Sequence, residues 1–211
     1  MADLELLLVR HGRSAHVHTG WVDVDGVRQW MAAYDAASIM PEHAPPAELE
    51  ALVRDASLVV ASDLPRTIAS AERLAPEREI VRTPLLREAP METPDRPLPA
   101  FGGIRLPLRA WGMLWSTRWI ASWLWNAEPP GIGPAELERA EQAAELLVAR
   151  ARESGGRIVA VTHATFRVVL ARALAGRGWR GPDERPYHEW SAWRYLPPPL
   201  DVAVESTTGP G

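Results

Sequence analysis

The chain has 211 residues, 46% of them hydrophobic and 24% charged, with a formal net charge of −4. That length suits one α/β domain with enough apolar side chains for a full core, and the acidic balance argues against nucleic acid as a partner. No cysteine is present, which excludes disulfides, thiolate nucleophiles and cysteine-ligated zinc.

The first residues, Met-Ala-Asp-Leu-Glu, place acidic groups where a secretory signal needs basic ones, so a cytoplasmic location is expected. Residues 4–9 (LELLLV) are almost continuously apolar, predicting a strand buried on both faces of a parallel sheet. Polar residues and glycines follow up to Gly26. Residues 27–39 then carry apolar side chains at helical spacing, with Asp25 and Gly26 at the start. Pro45-Pro46 opens a second helix over 47–55, and residues 58–61 (LVVA) predict the second strand. Ser62 and Asp63 stand where they would cap the next helix, which Pro65 opens and which runs to Leu74. Residues 79–82 predict a third, edge-like strand.

Six prolines between residues 84 and 107 (Pro84, Pro90, Pro94, Pro97, Pro99 and Pro107) predict an irregular loop. Residues 108–125 are strongly apolar, with Trp111, Trp115, Trp119 and Trp123 spaced to form one helical stripe. Packing in the core or a cap is the default role for this stripe; a lid over an apolar substrate pocket is the sharper one. A stretch of about 18 residues containing Arg118 is marginal for a bilayer, so no stable membrane insertion is expected. Arg96, Arg105 and Arg109 flank it, either solvated or facing a second acidic group on a substrate. Residues 135–153 predict a long helix ended by Gly155-Gly156. Residues 157–162 (RIVAVT) predict a fourth strand, and residues 165–174 a helix. The expected fold is therefore a three-layer α/β/α sandwich around a mainly parallel sheet, with a helical insertion. It would be a single domain over 1–197, with the insertion or cap at about 89–133 and a frayed tail over 198–211.

In such a sheet, ligands bind beyond the carboxyl ends of the strands. The first strand delivers Arg10-His11-Gly12-Arg13-Ser14 to that edge, the second Ser62-Asp63-Leu64-Pro65-Arg66-Thr67, and the fourth Thr162-His163-Ala164. Glu88 follows the third strand. The set suits phosphoryl transfer. Arginine offers a planar fork that matches phosphate oxygens. One imidazole can act as nucleophile, and a second can stabilise the transferring group. A carboxylic acid with a raised pKa can protonate the leaving oxygen. Gly12 would let the backbone approach the phosphate closely.

Leu-Val-Arg-His-Gly-Arg-Ser resembles the Arg-His-Gly signature of the histidine phosphatase superfamily, which includes the cofactor-dependent phosphoglycerate mutases. Ser62 to Thr67, Leu86-Arg87-Glu88 and Val161-Thr162-His163-Ala164 are similar to its further motifs, in matching order. The resemblance implies a phosphohistidine on His11, phosphate held by Arg10, Arg66 and His163, Glu88 as proton donor and then base, and no metal or cofactor. Gly12 and Ser14 are further candidate phosphate contacts. Ala164 departs from the glycine the family usually carries there, and the glycine-rich, tryptophan-containing acid segment of the mutases is missing.

These residues predict a phosphomonoester hydrolase with a phosphorylated small-molecule substrate. A phosphomutase, a non-catalytic phosphate-binding module and a protein phosphatase remain the alternatives. Glu92 rivals Glu88 as the acid. His16 and His18 suggest a metal pair, but with no third ligand in sight rim or surface positions are the simpler reading. Arg13 is either a phosphate contact or solvated. Ser14 and Thr67 either donate to phosphate or cap their helices, with capping expected.

Overall fold

The computed structural model describes residues 4–17, 20–90, 103–114, 117 and 132–199. Leu6, Leu7, Leu8 and Val9 are all buried, so β1 (Glu5–Arg10) is covered on both faces, as its unbroken apolar run requires. It pairs in parallel with β6 (Arg157–Thr162), in a register running from Glu5 opposite Arg157 to Arg10 opposite Thr162. β6 pairs in parallel with β3 (Leu58–Ser62), and β3 with β4 (Ile80–Thr83). The sheet order is β4-β3-β6-β1-β7, with β7 formed by Ala192–Tyr195.

Strand periodicity sorts these side chains into two cores. Leu6, Leu8, Val60, Ile158 and Ala160 face α4 (Pro134–Ser154) and α5 (Ala164–Gly176), packing on Leu147, Phe166 and Leu170. Leu7, Val9, Val59, Ala61, Val159 and Val161 face the other way, onto Leu49 and Val53 of α2 (Ala47–Arg54) and Ala71 and Leu74 of α3 (Pro65–Leu74). The result is the expected three-layer arrangement. Among the described residues, no helix is long and apolar enough to cross a membrane.

The structure departs from the sequence expectations in four places. β7 (Ala192–Tyr195) adds an antiparallel edge beside β1, with Leu6 opposite Tyr195. A two-stranded ribbon of β2 (Trp21–Val22) and β5 (Leu106–Pro107) forms where loops were expected. The first helix, α1 (Val24–Ala36), starts and ends earlier than predicted, because Asp23 accepts from the Gly26 amide at 2.8 Å and caps it. Neither Ser62 nor Asp63 caps α3: Leu64 holds the cap position, Asp63 pairs with Arg87 at 2.6 Å, and the Thr67 hydroxyl donates to the carbonyls of Ser62 and Leu64. Gly155 does end α4, in the left-handed conformation at φ 67°.

Trp111 is buried in a third cluster with Val24, Val27 and Leu108, and its indole donates to the Val22 carbonyl at 2.8 Å. The rest of the tryptophan stripe (Trp115, Trp119 and Trp123), Glu92, Arg96, Arg118, His18 and residues 200–211 of the tail lie outside the described residues.

Candidate active site

Because β1, β3, β4 and β6 run parallel, their carboxyl ends share one edge of the sheet. Arg10 closes β1 and His11 follows it; Arg66 is the second residue of α3, just past β3. His163 follows β6 in the extended cap position of α5. Beyond β4, a short 3-10 turn (Pro84–Leu86) leads to Glu88, and Thr162 ties that turn to β6 by donating to the Leu86 carbonyl at 2.7 Å. Three chain crossings thus bring His11, Arg66 and His163 together, all buried.

The His11 and His163 rings lie edge to face, with centroids 5.0 Å apart. His11 Nδ1 is 2.7 Å from the Gly12 carbonyl oxygen. A carbonyl only accepts, so Nδ1 carries the proton and Nε2 keeps its lone pair. His163 shows the opposite tautomer. Its Nδ1 accepts from Arg66 Nε at 3.3 Å, which leaves the proton on Nε2, and that atom is buried without a hydrogen-bond partner among the described residues.

Both imidazoles are neutral. Burial lowers His11 to about 3; the Gly12 carbonyl opposes that shift, and the nearby Arg66, Arg10 and Arg167 reinforce it. Burial likewise holds His163 well below the ordinary histidine range, helped by His11 and by Arg66, Arg139 and Arg10.

Arg66 is locked in place. Its Nη1 donates to Asp35 at 3.0 Å and to the Tyr34 carbonyl at 3.1 Å, and its guanidinium lies 4.4 Å from the centre of the Tyr34 ring. Among the described residues, its Nη2 is buried and unpartnered, as is Nε of Arg10. The Arg10 Nη1 donates to the Tyr187 carbonyl. Buried donors are nearly always satisfied, so Arg66 Nη2, His163 Nε2 and Arg10 Nε together mark a place suited to an anionic acceptor.

Glu88 is half-buried, with its Oε1 against the first turn of α5. It accepts from the amides of Phe166 (2.9 Å) and Ala89 (3.0 Å), with the Thr165 amide also donating. Burial has the largest influence on this carboxyl and raises it; the three amides and Arg66 pull the other way without cancelling the shift. Arg139 fixes the segment by donating to the carbonyls of Leu85, Arg87 and Glu88 while lying 4.0 Å over the Phe166 ring.

Two of the expected phosphate contacts have hydrogen-bond partners within the protein. The Gly12 amide donates to Ser70 Oγ at 2.9 Å, so it has a protein acceptor already. Glycine is needed there for a different reason: a Cβ would come within 2.3 Å of the Trp190 ring. Ser14 Oγ accepts from the His16 amide at 3.2 Å, which caps a turn. Arg13 is exposed. His16 packs against Trp30 with ring centroids 5.2 Å apart and planes tilted by 44°, and no group of three histidine or acidic side chains among the described residues is placed to hold a metal ion.

Sequence reasoning missed Tyr34, Arg139, Arg167 and Trp190. Trp190 adopts a left-handed backbone at φ 62°, its amide donates to the Arg10 carbonyl at 3.2 Å, and its indole donates to His43 Nδ1 at 3.0 Å. Arg167 does carry one local signal: it is an arginine four residues after His163, set directly between Phe166 and Val168-Val169.

No family model matches the sequence, and no curated protein sequence matches it. Solved structures do. A phosphoserine phosphatase from Entamoeba histolytica superposes with a TM-score of 0.52 at 15% identity, covering 82% of this chain and 80% of that one. A phosphoglycerate mutase from Bacillus anthracis gives 0.52 at 16% identity, covering 92% and 87%. The ecdysone phosphate phosphatase of Bombyx mori gives 0.51 at 15% identity, covering 98% and 97%. All three are members of the histidine phosphatase superfamily. At these identities the likeness is one of fold, and the chain has the phosphoglycerate mutase-like α/β fold.

Proposed function

We propose that the chain is a phosphomonoester hydrolase that works through a phosphohistidine on His11. The observation that carries this reading is the neutral His11 ring, whose free Nε2 lies beside a second histidine and an arginine that each keep a buried, unpartnered N–H. His11 Nε2 attacks phosphorus in line, and the ester oxygen departs with the phosphorus–oxygen bonding pair and a proton from Glu88. Arg66, Arg10 and His163 hold the three phosphoryl oxygens while charge spreads over them. Water, deprotonated by Glu88, then attacks the phosphohistidine; inorganic phosphate leaves and His11 recovers its lone pair. Glu88 suits both steps because burial raises its pKa, so that a proton is held and then returned.

The reading requires no metal ion and no cofactor, and it assigns a cytoplasmic enzyme of phosphorylated small molecules with no nucleic-acid role. The fold neighbours support the substrate class: the Entamoeba enzyme was captured with phosphoserine and with 3-phosphoglyceric acid. The domain is taken as residues 1–197, with its cap at 89–133.

The test is hydrolysis of p-nitrophenyl phosphate in EDTA by wild type and His11→Ala, together with trapping of acid-labile phosphoenzyme. Hydrolysis that survives EDTA, with hydrolysis and phosphoenzyme both lost in the variant, is the expected result. Activity that persists in the variant removes His11 as nucleophile. Transfer of the phosphoryl group back to an acceptor hydroxyl instead of water would make the protein a mutase.

A further inference from the structure

Arg167 is fully buried and has no part in the mechanism above. It stands one turn beyond His163 on α5. Its Nη1 donates to the Ser191 carbonyl at 2.9 Å, its Nη2 to Ser191 Oγ at 3.1 Å and to the Pro186 carbonyl at 3.3 Å, and the guanidinium lies 4.3 Å from the centre of the Trp193 ring. Every one of these acceptors is neutral. No carboxylate pairs with Arg167 among the described residues, and its Nε is buried without a partner. A buried cation with no counter-ion is costly, and such groups are normally paired.

The position of Arg167 relates that charge to the site. The Ser191 carbonyl that accepts from Arg167 also accepts from the Arg10 amide at 3.0 Å, so the two arginines share one acceptor. Arg167 lies within electrostatic reach of His11, Arg10 and Glu88. Arg66 already has Asp35 as counter-charge, whereas among the described residues Arg10 has only Glu189 at a loose 4.0 Å. With Glu88 protonated, the charges of Arg10 and Arg167 remain essentially uncompensated among the described residues, and a phosphomonoester dianion carries two negative ones.

We propose that Arg167 is the third cation of the anion site: its charge offsets that of the phosphoryl dianion, and its fork onto Ser191 positions the strand end that bears Arg10 and His11. The inference rests on the phosphate reading above. It makes Arg167 a positioning residue that favours monoester dianions over singly charged diesters.

Calorimetric titration with inorganic phosphate at pH 8 tests it on wild type, Arg167→Lys and Arg167→Met, each first checked for folding by circular dichroism and Tm. Methionine removes the charge, and Kd for phosphate is expected to rise about tenfold or more. Lysine keeps the charge, and Kd is expected to stay within about threefold of wild type while kcat falls, since the fork to Ser191 and Pro186 is lost. Equal weakening by lysine and methionine would reduce Arg167 to scaffolding and overturn the proposal, as would wild-type affinity in Arg167→Met. If Arg167→Met fails to fold, Arg167→Gln takes its place with the same expectation. Failure of the wild type to bind phosphate overturns the anion site itself. Phosphate binding without hydrolysis of any monoester would instead overturn the hydrolase reading and leave the role of Arg167 standing.

Discussion

The indole of Trp190 lies on Gly12 so closely that a single methyl group at Gly12 would stand 2.3 Å from the ring. The two residues are remote in sequence, yet this contact joins the loop after His11 to the segment that carries the Tyr187 and Ser191 carbonyls. Gly12→Ala must therefore push Trp190 away, at a cost of about 1–3 kcal/mol, and disturb His11 with it. Trp190→Ala makes room for the methyl group. A double-mutant cycle read by urea unfolding is expected to show coupling of at least about 1 kcal/mol between the two changes. Additive losses would mean that the ring does not enforce glycine there.

Glu88 is assigned to protonating the leaving oxygen, a service that nitrophenolate hardly needs. Glu88→Gln is therefore expected to lose roughly 10²-fold or more in kcat on an alkyl phosphate and far less on p-nitrophenyl phosphate. Because burial raises its pKa and the protonated form is the active one, kcat on the alkyl substrate is expected to fall as pH rises through that pKa. Equal losses on the two substrates, or an unchanged alkaline limb in the variant, would remove Glu88 from this role.

The proposed function assigns Arg66 to clamping phosphate and Asp35 to supporting Arg66. Arg66→Ala is expected to raise KM and lower kcat together, with kcat/KM falling roughly 10³-fold, since phosphoryl charge persists into the transition state. Asp35 is about half exposed, with 54% of its side chain accessible, so Asp35→Asn is expected to cost under about 1 kcal/mol. Steady-state kinetics on the two variants decide the matter, and comparable losses would contradict this division.

Burial of two neutral imidazoles sets the sign of a pH effect on stability. The folded-state pKa of His11 is about 3, below its unfolded value of 6.5, and that of His163 is lowered as well. Below pH 6.5 the unfolded chain takes up protons that the folded chain refuses, so each histidine destabilises the fold progressively as pH falls. His11→Asn keeps an N–H for the Gly12 carbonyl and removes one titrating group. Between pH 7 and pH 5 the wild type is expected to lose about 2 kcal/mol more than this variant, measured by urea unfolding. Parallel losses would show that His11 protonates freely in the folded state.

Much of the site was readable in the chain because strand ends announce themselves. The apolar runs at 4–9, 58–61 and 157–162 each stop at a charged or polar group, and parallel pairing carries Arg10, Arg66 and His163 to one edge. Other parts depended on partners far away in sequence. β7 is four residues long and takes its place from pairing with β1. Gly12 looked like a phosphate contact, yet its amide belongs to Ser70 and its missing side chain to Trp190. Arg167 was missed because its acceptors, Ser191 and Pro186, reach it only in the folded chain.

Residue type and periodicity, which act over a few positions, were enough for the four parallel strands, the helices that flank them, the three-layer arrangement and the kinds of side chain at the sheet edge. Protonation, tautomer and charge balance were decided only by the folded chain. His11 is neutral because burial and three arginines make its cation unfavourable, and His163 presents Nε2–H because Arg66, from another strand crossing, occupies Nδ1. Such effects depend on through-space distance and exclusion of water, and neither is set until remote segments have packed together.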